Sequence, residues 1–224
     1  MKPPPFKRSL SRRVLHAGIW AFALQAIDHL FIFGRTMVLA VLLSPKDFGL
    51  FGIAMLTLAA FDTLSRTGFH QALIQRRGDI EPYLETAWTI QCLRGLALAL
   101  LLVLTAPLVA GFFGEPIVVP LLRVVSLSIL LQAFTNIGVI AFQKDLEFNK
   151  EFIYRFSGTF SDLTVAVLLA YVFRNAWALV FGFLARNFVQ LMVSYLIHPY
   201  RPRFRFEREK STSLFSYGTW VMLG

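Results

Sequence analysis

The sequence predicts an all-α fold: a polytopic membrane bundle of six transmembrane helices followed by the start of a seventh. Three observations predict it. Apolar segments recur along the 224 residues, most of them near the roughly 20 helical residues that cross a hydrocarbon core. The composition is 56% hydrophobic with a mean hydropathy of +0.61, more apolar than soluble domains. Basic residues gather mostly in alternate connections. Runs such as Leu96-Ala97-Leu98-Ala99-Leu100-Leu101-Leu102-Val103-Leu104 are apolar on every side, which argues against a β-barrel, whose strands would alternate.

The elements follow in order. Residues 1–13 form a basic, proline-rich leader. The first span, 14–43, is too long for a signal-peptide core and lacks a small-residue cleavage site after it, so it is expected to be retained. It stops at Ser44-Pro45. The second span, 48–64, follows after a very short turn, predicting a tight antiparallel hairpin. A polar connection leads to the third span, 86–113, and Gly114-Glu115-Pro116 turns the chain into the fourth, 117–142. A charged stretch precedes the fifth span, 152–173, which Arg174-Asn175 joins to the sixth, 176–197. Residues 14–197 thus make one six-helix lobe, 198–213 a basic linker, and 214–224 the start of a truncated seventh helix. Arg8, Leu15, Gly18 and Trp20 are echoed at the same spacing by Arg208, Phe215, Gly218 and Trp220. A second lobe in the same orientation is therefore expected, the halves related by an axis along the membrane normal, with this chain the first half of a longer protein.

The net charge of +9 follows from topology. Lys2, Lys7, Arg8, Arg12 and Arg13, then Arg66, Arg76 and Arg77, then Lys144, Lys150 and Arg155, then Arg201, Arg203, Arg205, Arg208 and Lys210 all fall on one side. The other side carries Lys46 and Arg174. This is the positive-inside pattern, so both chain ends are expected in the cytoplasm. The basic loops are expected to face anionic lipids, and no nucleic acid partner is expected. Cys92 is the single cysteine, which excludes an internal disulfide, and it is expected inside a helix.

Polar side chains within the spans form stripes. Gln25, Asp28, His29 and Thr36 share one face of the first span, with Arg35 flanking it. Gln91 and Arg94 lie in the third span, Gln132 and Asn136 in the fourth, Arg155, Thr159 and Asp162 in the fifth. Arg186, Asn187, Gln190 and Ser194 stripe the sixth. Charges at such depth usually face a bundle interior or a water-filled cavity, so a polar lumen is expected. Simpler roles compete. Arg35 and Arg123 sit where they can snorkel to the boundary. Asp62 and Arg66 are spaced for a local salt bridge. Asp28 or Asp162 can pair with Arg186 inside the bundle, and His29 can serve as a structural hydrogen-bonder.

No glycine-rich phosphate loop, His-Glu-x-x-His zinc motif or Gly-x-Ser-x-Gly elbow occurs in the sequence. Neither enzyme chemistry, a cofactor nor a metal is implied.

Four stretches carry a resemblance: Gln71-Ala72-Leu73-Ile74-Gln75-Arg76-Arg77; Phe112-Phe113-Gly114-Glu115-Pro116 with Leu121-Leu122-Arg123; Ala141-Phe142-Gln143-Lys144-Asp145-Leu146-Glu147-Phe148; and His198-Pro199-Tyr200-Arg201-Pro202-Arg203-Phe204-Arg205-Phe206. In order and spacing the chain resembles the N-terminal half of bacterial oligosaccharide flippases, the Wzx-like polysaccharide exporters of the multidrug/oligosaccharidyl-lipid/polysaccharide superfamily. The resemblance implies two six-helix lobes in the bacterial cytoplasmic (inner) membrane. It implies alternating-access flipping of undecaprenyl-pyrophosphate-linked oligosaccharide repeats for exopolysaccharide or lipopolysaccharide biosynthesis, alongside polysaccharide polymerase machinery.

With such a substrate, lumen cations would offset phosphate desolvation. Arg94 and Arg186 are the leading candidates, with Arg35 and Arg123 behind them. Gln25, Gln132, Asn136, Asn187 and Gln190 are candidates for sugar hydroxyls, and Asp28, His29 or Asp162 for a coupling proton or sodium ion. The competing readings are a drug or cation exporter of the same superfamily and an inactive truncated membrane protein.

Overall fold

A computed structural model describes residues 25–65, 81–144 and 147–205. The leader, residues 14–24 of the first span, residues 66–80 of the 65–85 connection, residues 206–213 of the later linker and the seventh span lie outside the described residues. Those that are described form helices, turns and short extended connections, with no strand among them. α1, Gln25–Leu42, is followed by α2, Pro45–Leu64. Ser44 is the pivot. Its hydroxyl accepts from the Asp47 amide while the Asp47 carboxylate accepts from the Ser44 amide, a capping box with Pro45 in the first turn. The signal that stops the first span therefore starts the second, which begins three residues earlier than hydrophobicity predicts.

α3, Glu81–Phe113, has 33 residues, about 50 Å of helix against a hydrocarbon thickness of about 30 Å. It turns through Gly114, whose φ of +69° suits glycine, into α4, Val118–Ala133. The Lys46 ammonium meets the Glu115 carboxylate at 2.9 Å. The α1–α2 and α3–α4 turns therefore share one end of the bundle, here the turn end. The opposite, basic end holds the charged loops.

The fourth span departs from the sequence expectation. Rather than running over 117–142, its helix ends at Ala133; a 3-10 turn, Ile137–Val139, and a short α5, Ile140–Lys144, follow. Asn136 adopts an extended backbone and its side-chain oxygen accepts from the Gly138 amide, a local alternative to the helical bond. The carbonyls freed by the break find donors on other helices. Gln91 Nε2 donates to Gln132 O (3.2 Å) and Ala133 O (3.0 Å), and Cys92 Sγ lies 3.3 Å from Ala133 O. Tyr195 Oη donates to Phe134 O (3.0 Å) and Trp88 Nε1 to Thr135 O (3.2 Å). Irregular backbone at membrane depth is tolerable only with such internal satisfaction or beside a wet cavity.

α6, Phe148–Phe173, and α7, Trp177–Ile197, pack along each other; α3 packs on α4, and α4 meets α7. Five of these helices are long and apolar enough to cross a membrane, and α4 is the shorter apolar one. Large apolar side chains such as Val41, Leu108, Phe112 and Leu196 stand exposed around the perimeter, as a lipid solvent requires. The chain is built as a multi-pass helical membrane bundle.

The apolar core divides. At the turn end, Leu50, Ala54, Leu102, Ala106, Leu121, Leu122, Val125 and Val180 interlock, and Leu39 and Leu43 pack on Ala166, Ala170 and Leu179. At the basic end a smaller cluster joins Leu84, Trp88, Cys92, Ile137 and Ile140. There the chain leaving α7 doubles back on α3. Phe204 packs on Trp88 with centroids 4.6 Å apart and the rings tilted by 50°, and the Arg205 amide and carbonyl both bond the Thr89 hydroxyl. Between the two clusters lies a cavity.

Candidate substrate cavity

The cavity encloses about 530 Å³, a volume typical of small-ligand sites. α3 contributes Gln91, Arg94 and Gly95; α4 and its break contribute Gln132, Thr135 and Asn136. α6 contributes Tyr154, α7 contributes Phe183, Arg186, Asn187 and Gln190, and α2 supplies Asp62. The small residues let the walls approach. A Cβ on Gly158 would meet the Gln190 side chain at 2.6 Å, so glycine there lets Gln190 lie against α6.

Two guanidiniums face this space in different states. Arg94 Nε donates to Ser65 O (3.0 Å), its terminal nitrogen to Asp62 O (3.1 Å) and Ser65 Oγ (2.8 Å), and it pairs with the Asp62 carboxylate. Arg94 thus caps the C-terminal carbonyls of α2, where the helix dipole favours a cation. Arg186 is half-buried and makes no hydrogen bond or ion pair among the described residues. Among the described residues the lining holds two guanidiniums against the single Asp62 carboxylate, so its balance is cationic. Neutral amides lie beside Arg186 in the lining: Gln132 Nε2 donates to Asn187 Oδ1 at 2.8 Å, and Asn187 Nδ2 to Phe183 O at 2.7 Å.

Of the residues singled out from sequence, Arg94, Arg186, Gln132, Asn136, Asn187 and Gln190 line this cavity. Asn136 is fully buried, and its amide is engaged with Gly138 N and Tyr200 O; it shapes the wall. Gln25 is exposed at the start of α1, and Arg123 is exposed on α4; neither lines the cavity. Arg35 does not snorkel: it turns inward onto Asp162, with Nη2 to Oδ1 at 3.0 Å. That contact replaces the pairing of Asp162 with Arg186 expected from sequence. Asp28, half-buried, accepts from Thr159 Oγ1 (3.1 Å), so it too is not the partner of Arg186, and His29 is exposed. Asp62 pairs with Arg94 across helices, whereas the Asp62–Arg66 spacing involves a residue outside the described set. Sequence reasoning missed Tyr154. The signal was present as a stripe at four-residue spacing, Tyr154, Gly158 and Asp162, one position from the stripe read through Arg155.

The polysaccharide biosynthesis protein family model matches residues 38–224. The chain belongs to this family. It is 25% identical over 219 residues to the lipopolysaccharide biosynthesis protein WzxC of Escherichia coli (strain K12), covering 95% of this chain and 44% of that protein. It is 29% identical over 184 residues to the succinoglycan biosynthesis transport protein ExoT of Rhizobium meliloti (strain 1021), covering 81% and 37%. It is 33% identical over 113 residues to the teichuronic acid biosynthesis protein TuaB of Bacillus subtilis (strain 168), covering 47% and 23%. The chain spans less than half the length of these relatives. No solved structure matches it.

Proposed function

We propose that this chain forms one lobe of an exporter that moves undecaprenyl-pyrophosphate-linked oligosaccharide repeats across the bacterial cytoplasmic membrane by alternating access, with the basic end facing the cytoplasm. The observation that carries the reading is the pairing state of Arg186: a guanidinium at membrane depth, beside neutral amides, with its donors uncommitted. Such a cation offsets the desolvation of a phosphate, and the amides of Gln132, Asn187 and Gln190 suit sugar hydroxyls. The names of the relatives, which concern lipopolysaccharide, succinoglycan transport and teichuronic acid, support the substrate class. Against a cation exporter stands the lining itself, whose single carboxylate is already neutralised by Arg94.

The basic loops at Lys150 and Arg201 would rest on anionic lipid. Among the coupling-ion candidates Asp28 stands out, because its carboxylate meets a hydroxyl where Asp162 meets a guanidinium.

Complementation of a flippase-null strain with the full-length gene, reading polymer at the cell surface, tests the proposal. Arg186→Lys should retain export, since a cation remains; Arg186→Gln should abolish it. Normal surface polymer from the glutamine variant would remove Arg186 as the phosphate contact.

A further inference from the structure

The polar stripe of α6 continues past the cavity wall to Asp162, and there a second guanidinium waits. Arg35 and Asp162 meet at 3.0 Å with side chains only 14% and 9% exposed. The pair lies close to Arg186. A Cβ on Gly182 would come within 2.6 Å of Asp162 Oδ1, and Gly182 precedes Arg186 by one turn on the same face of α7, about 6 Å along the axis. The pair thus sits one turn nearer the turn end than Arg186, and the charge of Arg186 acts on both its members.

The contact is incomplete. Arg35 Nε is buried with no hydrogen bond, and Arg35 Nη2 and Asp162 Oδ1, the two atoms that meet at 3.0 Å, do so without well-formed hydrogen-bond geometry. An ion pair serving only to fasten two helices would be expected to use the two-pronged guanidinium–carboxylate geometry, because unmet buried donors are costly. Other contacts also dock α1. Leu39 and Leu43 already pack on Ala166 and Ala170, Phe31 meets Phe156 edge-on at 5.1 Å, and Thr159 bonds Asp28. What remains is a buried cation with donors to spare, held by one end-on carboxylate beside the free guanidinium of the cavity.

We infer that Arg35 is a second phosphate-binding station, one helical turn beyond Arg186 toward the turn end, and that Asp162 is its internal counter-ion, occupying Arg35 until a substrate phosphate displaces it. This rests on the reading of Arg186 as the first phosphate contact. Asp162 then competes with the substrate for Arg35 and so sets the affinity of the site. It also keeps the bundle electrically balanced when no anion is bound. The spare donors on Arg35 are the ones a tetrahedral phosphate would take, since a guanidinium offers five.

The test uses the purified full-length protein, with undecaprenyl pyrophosphate as the charged probe and undecaprenol as the uncharged control. Asp162→Asn should tighten binding of the pyrophosphate lipid about ten-fold, and Arg35→Gln should weaken it by a similar factor; binding of undecaprenol should not change. Because each single variant leaves a lone buried charge, the neutral double variant R35Q/D162N carries the decision. It should recover the thermal stability lost in the singles yet still bind the pyrophosphate lipid about ten-fold more weakly than the parent. A stable double variant with parental affinity would reduce the pair to a structural tie and overturn the inference. If Arg186→Gln leaves binding unchanged, the first reading fails instead; if it weakens binding while the double variant does not, only the second station fails.

Discussion

The two ends of this bundle are made from the same helices and obey different rules. At the turn end, α2, α3, α4 and α7 meet through Leu50, Leu102, Leu122, Val125 and Val180, and the interface is dry. About two to three turns further, those helices present Asp62, Arg94, Gln132 and Arg186 to a common space. Lipid tails are as apolar as leucine, so the dry end gains little from hydrophobicity and owes its cohesion to close packing. The polar half owes its shape to hydrogen bonds that hold amides and guanidiniums in place. A solute in the cavity faces a packed plug in one direction and the basic end in the other. On the proposed export reading, passage would require the plug to part.

The contrast can be broken most severely from the dry side. Leu122→Asp buries a carboxylate among Leu121, Val125 and Leu102, at a cost of several kcal/mol that the plug cannot recover; little or no monodisperse protein should be extracted from membranes. Gln132→Leu, on the polar side, should give normal yields. If both variants behave alike, the division into dry and polar halves is wrong.

A smaller effect separates the two cavity arginines. Arg94→Gln removes the cap of α2 and leaves Asp62 without its guanidinium, and should lower stability by about 2 kcal/mol. Arg186→Gln removes a cation that makes no hydrogen bond or ion pair among the described residues and should leave the melting temperature of the detergent-solubilised protein unchanged or slightly raised. The smallest effect is expected at Lys46→Ala. The Lys46 side chain is 68% exposed, and such surface pairs contribute about 1 kcal/mol or less; thermal unfolding should barely move.

Much of the fold was legible because hydrophobic length and turn chemistry are local properties. Ser44-Pro45, Gly114-Glu115-Pro116 and Arg174-Asn175 each mark a turn that the structure contains. The break in the fourth span was not legible. Gln132 and Asn136, four apart, read as one face of a continuous helix, whereas Asn136 ends that regularity. The donors that make the break tolerable are Trp88, Gln91 and Tyr195, all remote in sequence. For the same reason the residue types facing the cavity were readable from stripes, but their pairing was not. Whether Arg94 or Arg186 is the uncommitted cation depends on Asp62 and Ser65 reaching across from α2, and Arg35 was misread because its partner lies on α6.

The doubling back of the chain at Phe204 and Arg205 has a mechanical consequence. Trp88 holds the ring of Phe204 on one side and, through its indole nitrogen, the Thr135 carbonyl on the other. Together with the bond from Asn136 to the Tyr200 carbonyl, this ties the segment leaving α7 to the floor of the cavity at two points. The segment that leaves the lobe is thereby fastened to the same broken stretch of α4 that shapes the cavity.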